Sequence, residues 1–279
     1  MPSCRSDPCA ALAEAPPPAL PPRARVLGVP LALSDYDGVL DWVDATVAAG
    51  ARATVSAAAV NLVMLAREDE EVRRAVLATT LVVPDGQPLV WALHALGHRQ
   101  ATRVYGPELM ARHCARTART GTPIYLFGGR NTGALVSLAL ALRERYPGIE
   151  IAGAHATPFT VPTAERDESD AQRIEASGAQ VVWVGTGQPR QELWMARMRS
   201  RLRAPVLLGV GAAFDFHAGL VRQAPPWMGR NGLEWAFRLS REPRRLWRRY
   251  ARYNPRFVAA FARQYAVEHV ARRGAGAAR

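Results

Sequence analysis

Short apolar runs rich in β-branched residues alternate with helix-length segments along most of this chain, and this alternation constrains the fold more than any other feature. The stretch ARATVSAAAV predicts a strand that leads into a helix through NLVMLAREDEEVRRAVL, and Leu81–Val83 predicts a strand before the helical stretch PLVWALHALG. TPIYLFGGRNTGALVSLALALRERYPGIEIAGAH predicts strand, Gly-Gly turn, helix and strand, and AQVVWVGTGQPRQELWMARMRSRLRAPVLLGVG repeats that order. The pattern indicates an α/β fold, a Rossmann-like layered parallel sheet with helices on both faces.

Composition divides the chain into three predicted parts. Residues 1–24 contain the proline cluster EAPPPALPPRAR and are expected to form a disordered leader, which lacks the continuous apolar segment of a secretory signal. Residues 25–228 form the predicted α/β catalytic domain, and residues 229–279 a helical appendage rich in Arg and aromatic side chains. No apolar run approaches the roughly 18 residues that a membrane-spanning helix needs.

The positive charge is concentrated at the C-terminus. Residues 221–279 contain 14 Arg, 3 Glu and no Asp, and therefore carry +11 of the formal net charge of +12. Such a segment attracts polyanions, which include nucleic acid, anionic lipid and a diphosphate substrate. The three cysteines, Cys4, Cys9 and Cys114, lack the spacing of zinc ligands and indicate a reduced, cytoplasmic setting.

Candidate ligand-binding residues follow the predicted strands. In parallel sheets ligands bind at the carboxyl ends of strands, where Asp85, Gly128-Gly129 and Gly185-Thr186-Gly187 fall. FGGRNTG has the setting of a phosphate-binding loop, and an ordinary tight turn explains it equally well. In VGTGQPRQELW, Gln191 and Glu192 open a helix with groups that suit a sugar or ribose hydroxyl, although Glu192 also fits an ordinary acidic helix start.

Two patterns resemble metal sites, and in both a structural explanation is preferred. Asp35-Tyr36-Asp37 imitates the Asp-X-Asp of many sugar transferases, but its place after Ser34 favours capping of a helix. His94 and His98 lie four residues apart on a predicted helix without a third ligand, which favours a partly exposed helix face. We therefore expect no metal and no cofactor.

Five blocks of sequence, in order, resemble the WecG/TagA/CpsF family, glycosyltransferase family 26. They are VVPDGQPLVW, RVYGPELM, VGTGQPRQELW, GVGAAFDFHAGLVRQAPPWM and GLEWAFRLSREPRRLWRRY, and the resemblance extends from about residue 27 to residue 262. It implies an inverting transfer of a sugar from a UDP-sugar to a polyprenyl-diphosphate-linked saccharide, at the cytoplasmic membrane face, in exopolysaccharide or cell-wall polymer synthesis. The donor sugar stays open among N-acetylmannosamine, N-acetylglucosamine, glucuronic acid and similar sugars, and a homo-oligomer also stays open.

The resemblance also assigns roles to residues. It makes Asp85 the general base, because an inverting transfer needs a carboxylate that takes the proton of the acceptor hydroxyl. It places Arg103 and Gln191 in the active site. It also implies that the UDP diphosphate is bound by Arg238, Arg245 and Arg248. The family's usual Thr-X-Asn is replaced by Ala57-Ala58-Ala59, with Asn61 two residues later as the remaining polar candidate. The family generally lacks an Asp-X-Asp metal site.

The appendage shows an aromatic stripe beside a cationic one. The stripe comprises Trp235, Leu239, Leu246, Tyr250, Tyr253 and Phe257. The cationic residues are Arg238, Arg241, Arg245, Arg248, Arg252 and Arg256, and Pro243 and Pro255 are expected to restart helices. The pattern fits a helix at a membrane interface and a helix docked on the core about equally, and the resemblance favours a membrane contact that also completes the active site.

Two other functions compete with the transferase. A nucleic-acid-binding module would use the Arg-aromatic tail, but it would leave Asp85 and GTGQPRQE without a purpose. A dehydrogenase of the Rossmann type is disfavoured because the dinucleotide glycine spacing is absent. We therefore expect a UDP-sugar donor, a lipid-linked acceptor and the membrane surface as partners, and no nucleic acid.

Overall fold

An eight-stranded sheet forms the centre of the fold, in a computed structural model that describes residues 16–157 and 160–277 apart from the side chains of 226, 230, 245 and 271–277. Its strands are β1 Arg23–Val26, β2 Val29–Ala32, β3 Ala53–Ala58, β4 Leu81–Pro84, β5 Ile124–Gly128, β6 Ile151–His155, β7 Val181–Gly185 and β8 Val206–Gly209. Their order across the sheet is β1-β2-β4-β3-β8-β7-β5-β6. Only the β1–β2 pair is antiparallel among the described strands.

Helices cover both faces of this sheet. They are α1 Tyr36–Ala48, α2 Val60–Glu68, α3 Glu70–Ala78, α4 Gln87–Ala95, α5 Gly106–Thr120, α6 Thr132–Arg145, α7 Ala164–Ser177, α8 Arg190–Met198, α9 Ala213–His217, α10 Pro226–Arg230, α11 Glu234–Arg241 and α12 Pro243–Ala277. Alternate residues of one strand enter different cores, since Val181 and Trp183 pack with one cluster and Val182 and Val184 with another. The predicted α/β fold is confirmed.

Some predicted boundaries differ from the structure. β1 begins two residues before the predicted start of the catalytic domain at residue 25, and the described part of the leader contacts the core, because Trp42 Nε1 donates to Pro18 O at 3.2 Å. The leader residues 1–15 lie outside the described residues. The predicted boundary between residues 228 and 229 falls inside α10.

Local capping explains two further differences. The single helix predicted through residues 61–77 is divided into α2 and α3, because the Asp69 side chain accepts from the amides of Glu71 and Val72 and starts a new helix. His98 lies beyond the end of α4, so it does not share a helix with His94. His94 Nε2 instead contacts Ala101 O at 2.8 Å.

The final helix is part of the core. Leu246, Tyr253 and Phe257 are buried, and the last two pack in one cluster with residues of β2, β4, α2 and α4. Arg252 and Arg256 both donate to the Glu68 carboxylate, at 2.6 and 2.9 Å. Tyr253 and Phe257 of the stripe therefore dock on the core and do not face lipid, because α2 and its neighbours supply the apolar surface that covers them.

The course of α12 also corrects one expectation. The helix starts at Pro243 as predicted, but it continues through Pro255 instead of restarting there. An internal proline removes one backbone hydrogen bond. Tyr253 and Phe257, which flank it, are both buried against the core, so packing holds the helix on either side of Pro255.

Candidate active site

A cleft opens where the carboxyl ends of β3 and β4 meet the appendage. It has a volume of about 700 Å³ with its open mouth included, a size within the usual range for ligand sites. Its walls are Ala59, Val60, Asn61, Asp85, Gly86, Gln87, Pro88, Arg103, Gly232, Glu234, Trp235, Arg238, Arg249, Tyr250, Tyr253 and Asn254. The cleft thus brings together four predicted site residues, Asn61, Asp85, Arg103 and Arg238.

Backbone contacts hold Asp85 rigidly at the end of β4. Its amide donates to Ala58 O at 2.8 Å, which ties it to the adjacent strand β3. Its Oδ1 accepts from the Gly106 amide at 3.3 Å, at the N-terminus of α5, and Arg103 Nε donates to its carbonyl oxygen. Residues of the block RVYGPEL therefore hold the aspartate of the block VVPDG in place.

The surroundings of Asp85 bring the pKa of its carboxyl closer to neutral pH. Burial raises the pKa of its carboxyl to about 6, while Arg103 lowers the pKa and Glu234 raises it. Arg103 Nη2 lies 3.9 Å from Asp85 Oδ1 but only 2.6 Å from Glu234 Oε2. A carboxylate with a pKa near 6 is ionised at neutral pH and more basic than an ordinary aspartate, which suits a general base.

Two helices begin at the cleft without a side-chain cap. Ala59 is the N-cap of α2 and Gly86 the N-cap of α4, and neither makes a capping hydrogen bond through a side chain. The first residues of both helices line the cleft. Uncapped helix N-termini favour anions, so this wall complements a phosphate group.

The appendage supplies arginines to the opposite wall. Arg238 lines the cleft, its Nε is buried without a hydrogen-bond partner, and its guanidinium carbon lies 5.6 Å from the centre of the Phe216 ring. Arg249 also lines the cleft, whereas the predicted Arg248 is exposed and lies 5.6 Å from the centre of the Trp247 ring. The side chain of Arg245 lies outside the described residues. Arg249 therefore replaces Arg248 in the geometry of the cleft.

Gln191 and Glu192 do not reach the cleft surface, although both were predicted to bind substrate. Gln191 is 0% exposed and Glu192 1% exposed, so neither has surface for a direct ligand contact in this conformation. Ser56 Oγ and Gln191 Nε2 donate to Glu192 Oε1 at 2.6 and 2.8 Å, and Gln191 Oε1 accepts from the Gly211 amide at 2.9 Å. The pair connects α8 to β3 and to the turn after β8.

Glu192 gives a prediction about stability. Burial raises its pKa from an ordinary 4.5 to about 7, so folding favours its protonated form. This contribution to stability is complete below about pH 4.5 and is lost as pH rises through about 7. The difference corresponds to about 3 kcal/mol. Glu192→Gln should therefore be more stable than the wild type at pH 8 and nearly equal to it at pH 4.5, measured by urea unfolding. Equal losses at both pH values would contradict this.

The four predicted glycines serve close packing or positive φ angles at the ends of β5 and β7. A side chain on Gly185 would come within 2.5 Å of the Phe214 ring, and one on Gly128 within 2.7 Å of Thr186. Gly129 and Gly187 adopt positive φ angles of 83° and 79°. None of the four lines the cleft that contains Asp85, because β8 separates β7 from β3 in the sheet.

In the Asp-X-Asp pattern, the predicted capping of a helix is confirmed for Asp35. The Asp35 side chain accepts from the Gly38 amide and caps α1. Asp37, Asp41 and Asp44 all pair with Arg116. Within residues 16–157 and 160–277, no group of three or more His, Cys, Asp or Glu side chains is arranged to hold a metal ion.

Sequence reasoning missed Glu234 and Arg249. Glu234 is one of three acidic residues in the strongly basic segment 221–279, and such an isolated acid was a usable signal. Arg249 could not be distinguished from Arg248 by its type or its spacing. The same cleft wall also includes Tyr250, which the sequence had placed only in the aromatic stripe, and Asn254, which carried no signal of its own.

Comparison with known families agrees with the geometry. Residues 24–270 match the family model described as the glycosyl transferase WecG/TagA/CpsF family. The match includes the whole sheet except the first residue of β1. It also includes the appendage up to residue 270, within α12. Among the helices of the described chain, none is both long and apolar enough to cross a membrane.

Proposed function

Since this chain belongs to the WecG/TagA/CpsF family of glycosyltransferases, we propose that it transfers a sugar from a UDP-sugar to a polyprenyl-diphosphate-linked saccharide. The observation that carries the proposal is the position of Asp85, a rigidly held carboxylate with a pKa of about 6 in a cleft lined by arginines. The reaction belongs to the synthesis of an extracellular or cell-wall polymer, and the donor is one of the N-acetylhexosamines, glucuronic acid or a similar sugar.

The proposed chemistry is a single inverting displacement. The acceptor hydroxyl oxygen attacks the anomeric carbon of the donor while its proton passes to the Asp85 carboxylate. The bond between the anomeric carbon and the phosphate oxygen breaks, and UDP departs with the electron pair. Arg238 and Arg249, with the N-termini of α2 and α4, stabilise the charge that develops on the diphosphate. Asn61, on the same wall, is placed to bind a sugar hydroxyl.

A lipid-linked acceptor requires that the cleft reach a membrane surface. We propose that exposed tryptophans near its mouth make this contact at the cytoplasmic face. Trp235 lines the cleft and Trp91 lies beside Gly232 in the cleft wall, while Trp227 belongs to α10 and Trp247 to α12. All four are between 44% and 53% exposed. Tryptophan prefers the interfacial region of bilayers, and the neighbouring arginines attract anionic lipid.

The nucleic-acid alternative uses the appendage differently. Arg252 and Arg256 are engaged by Glu68, and Arg238 and Arg249 face the cleft. Four of the 14 arginines of residues 221–279 are therefore already engaged by Glu68 or directed to the cleft. It also gives no role to Asp85, so the transferase is the function that the geometry supports best.

A donor screen tests the proposed function. The full-length protein is incubated with separate UDP-sugars and a short-chain, soluble polyprenyl-diphosphate saccharide, and the products are analysed by mass spectrometry and NMR. We expect one donor to add one sugar residue to the acceptor with an inverted anomeric configuration. We also propose that EDTA leaves the rate unchanged, because arginines supply the positive charge. No transfer from any UDP-sugar would contradict the function, and a loss on chelation that manganese restores would contradict the metal independence.

A further inference from the structure

Two carboxylates, Asp85 and Glu234, lie beside one guanidinium, that of Arg103, in the cleft. Arg103 uses Nε to donate to the backbone carbonyl of Asp85, and it uses Nη2 to bind Glu234 at 2.6 Å. The same Nη2 atom lies 3.9 Å from Asp85 Oδ1, beyond hydrogen-bond distance. Arg103 therefore contacts the peptide of the proposed base but not its carboxylate.

Glu234 is the carboxylate that the Arg103 guanidinium binds in this arrangement. All three side chains are largely shielded from water, with 14% to 24% of their side-chain surface exposed, so their charges interact strongly. An arginine in such a place pairs with the nearest carboxylate, and Asp85 would be that partner if Glu234 were absent. A carboxylate engaged by a guanidinium has fewer free lone pairs and a lower affinity for protons.

We infer that Glu234 is a positioning residue that holds the Arg103 guanidinium off the Asp85 carboxylate and so leaves Asp85 free to accept the acceptor's proton. The inference rests on the proposed function, in which Asp85 is the base. Glu234 is the first residue of α11, whereas Asp85 and Arg103 belong to the sheet domain. The base thus reaches its working state only when the appendage is docked.

Several other groups face Asp85 from the surrounding elements. Arg238 of α11 lowers its pKa together with Arg103 and the Gly106 amide, and Glu234 opposes them. Tyr36 of α1 and Tyr105 both have raised pKa values and stay neutral, and Arg249 and Tyr250 of α12 line the same cleft. Among the described residues of the cleft wall, Glu234 is the one acidic side chain besides Asp85, so its loss shifts the balance toward the cations.

The test is the pH dependence of kcat/KM for Glu234→Gln. Asp85 must be deprotonated to act, so the acidic limb of the profile reports its pKa. We expect this limb to move to lower pH by about one unit or more, because an anion is lost and a cation approaches. We also expect kcat at pH 8 to fall about tenfold, with the KM for the UDP-sugar within about threefold, because Asp85 becomes a weaker, occupied base.

Three variants serve as controls. Glu234→Asp keeps the charge and should retain an acidic limb close to the wild type. Glu242→Gln removes an acid from the other end of α11, where Glu242 faces Arg130, and should leave the profile unchanged. The double variant Arg103→Gln/Glu234→Gln removes both charges and leaves no unpaired buried ion, so it should fold even if the single variant misfolds. Its acidic limb should lie at the same pH as that of the wild type or at a higher pH.

The outcomes are distinct. An acidic limb that stays in place or moves to higher pH in Glu234→Gln would overturn the inference, as would a loss confined to KM, which would make Glu234 a ligand contact. If the double variant kept the low limb of the single variant, the released arginine would not be the cause. A wild-type protein without transferase activity would instead contradict the proposed function, whatever the behaviour of Glu234.

Discussion

Asp85→Asn is expected to lower kcat by about a hundredfold or more, the usual scale for the loss of a general base. The amide cannot accept the proton of the acceptor hydroxyl, yet it has the size of the carboxylate and can still accept the Gly106 amide through its oxygen. The fold and the affinity for UDP should therefore remain close to those of the wild type. Initial rates with saturating donor and acceptor, and calorimetric titration with UDP, measure the two quantities separately.

A matched substitution controls for the change in charge. Asp41 is an exposed carboxylate that pairs with Arg116 on the outer surface of α1, so Asp41→Asn should leave kcat unchanged. The residual activity of Asp85→Asn should also lose the acidic limb near pH 6, because the group that titrates there is gone. Turnover within a few-fold of the wild type would reduce Asp85 to a turn residue at the end of β4.

The second large effect is expected at the arginines of the appendage. Replacing Arg238 or Arg249 with Ala removes a charge-assisted contact to the leaving diphosphate, worth roughly 1.5–3 kcal/mol, or about a 10- to 150-fold loss of kcat/KM. The loss should be present with a soluble acceptor, where membrane binding does not contribute. UDP binding should weaken in parallel, since the nucleotide carries the same diphosphate.

Arg248→Ala is the matched control for Arg249→Ala. It removes the same charge from the adjacent residue, whose side chain is exposed beside Trp247 rather than in the cleft. We expect it to keep full activity on the soluble acceptor and to weaken only the binding of anionic liposomes, more so at high salt. The reverse result, with Arg248 essential and Arg249 dispensable, would favour the assignment made from the family resemblance over the one made from the cleft.

Docking of α12 on the core changes the design of such experiments. Tyr253 and Phe257 share a cluster with buried residues of α2 and α4, so removal of the appendage would expose that cluster to water. A shortened protein that lost activity would not separate catalysis from stability. Single substitutions in the cleft wall make that separation, because they leave the packed face of α12 intact.

The sequence predicted most of the elements because their signals are local. Alternating apolar runs and helical stretches identified β3 to β8 and the helical segments of α2–α3, α4, α6 and α8, but not α5 or α7. The position of Asp85 at the end of β4 followed from one short motif. The β1–β2 hairpin was missed because its strands have four residues each and lie next to the proline cluster. The break at Asp69 was missed because a capping aspartate cannot be distinguished by sequence from the other acidic residues of a charged helical stretch.

The sequence alone predicted the order of β3 to β8, the place of Asp85 at a strand end and a resemblance to the family to which the chain belongs. Tertiary structure decided which side chains meet there. Glu234 lies 131 residues from Arg103 in the chain, and only the docking of α11 brings them into contact. Periodicity showed that the appendage has an apolar face, but either protein or lipid can cover such a face. Only the structure shows that Tyr253 and Phe257 pack against the core. Gln191 and Glu192 lie in the first turn of a helix beside the strand ends, and the packing of α8 against β3, with Ser56 donating to Glu192, buries them below the surface.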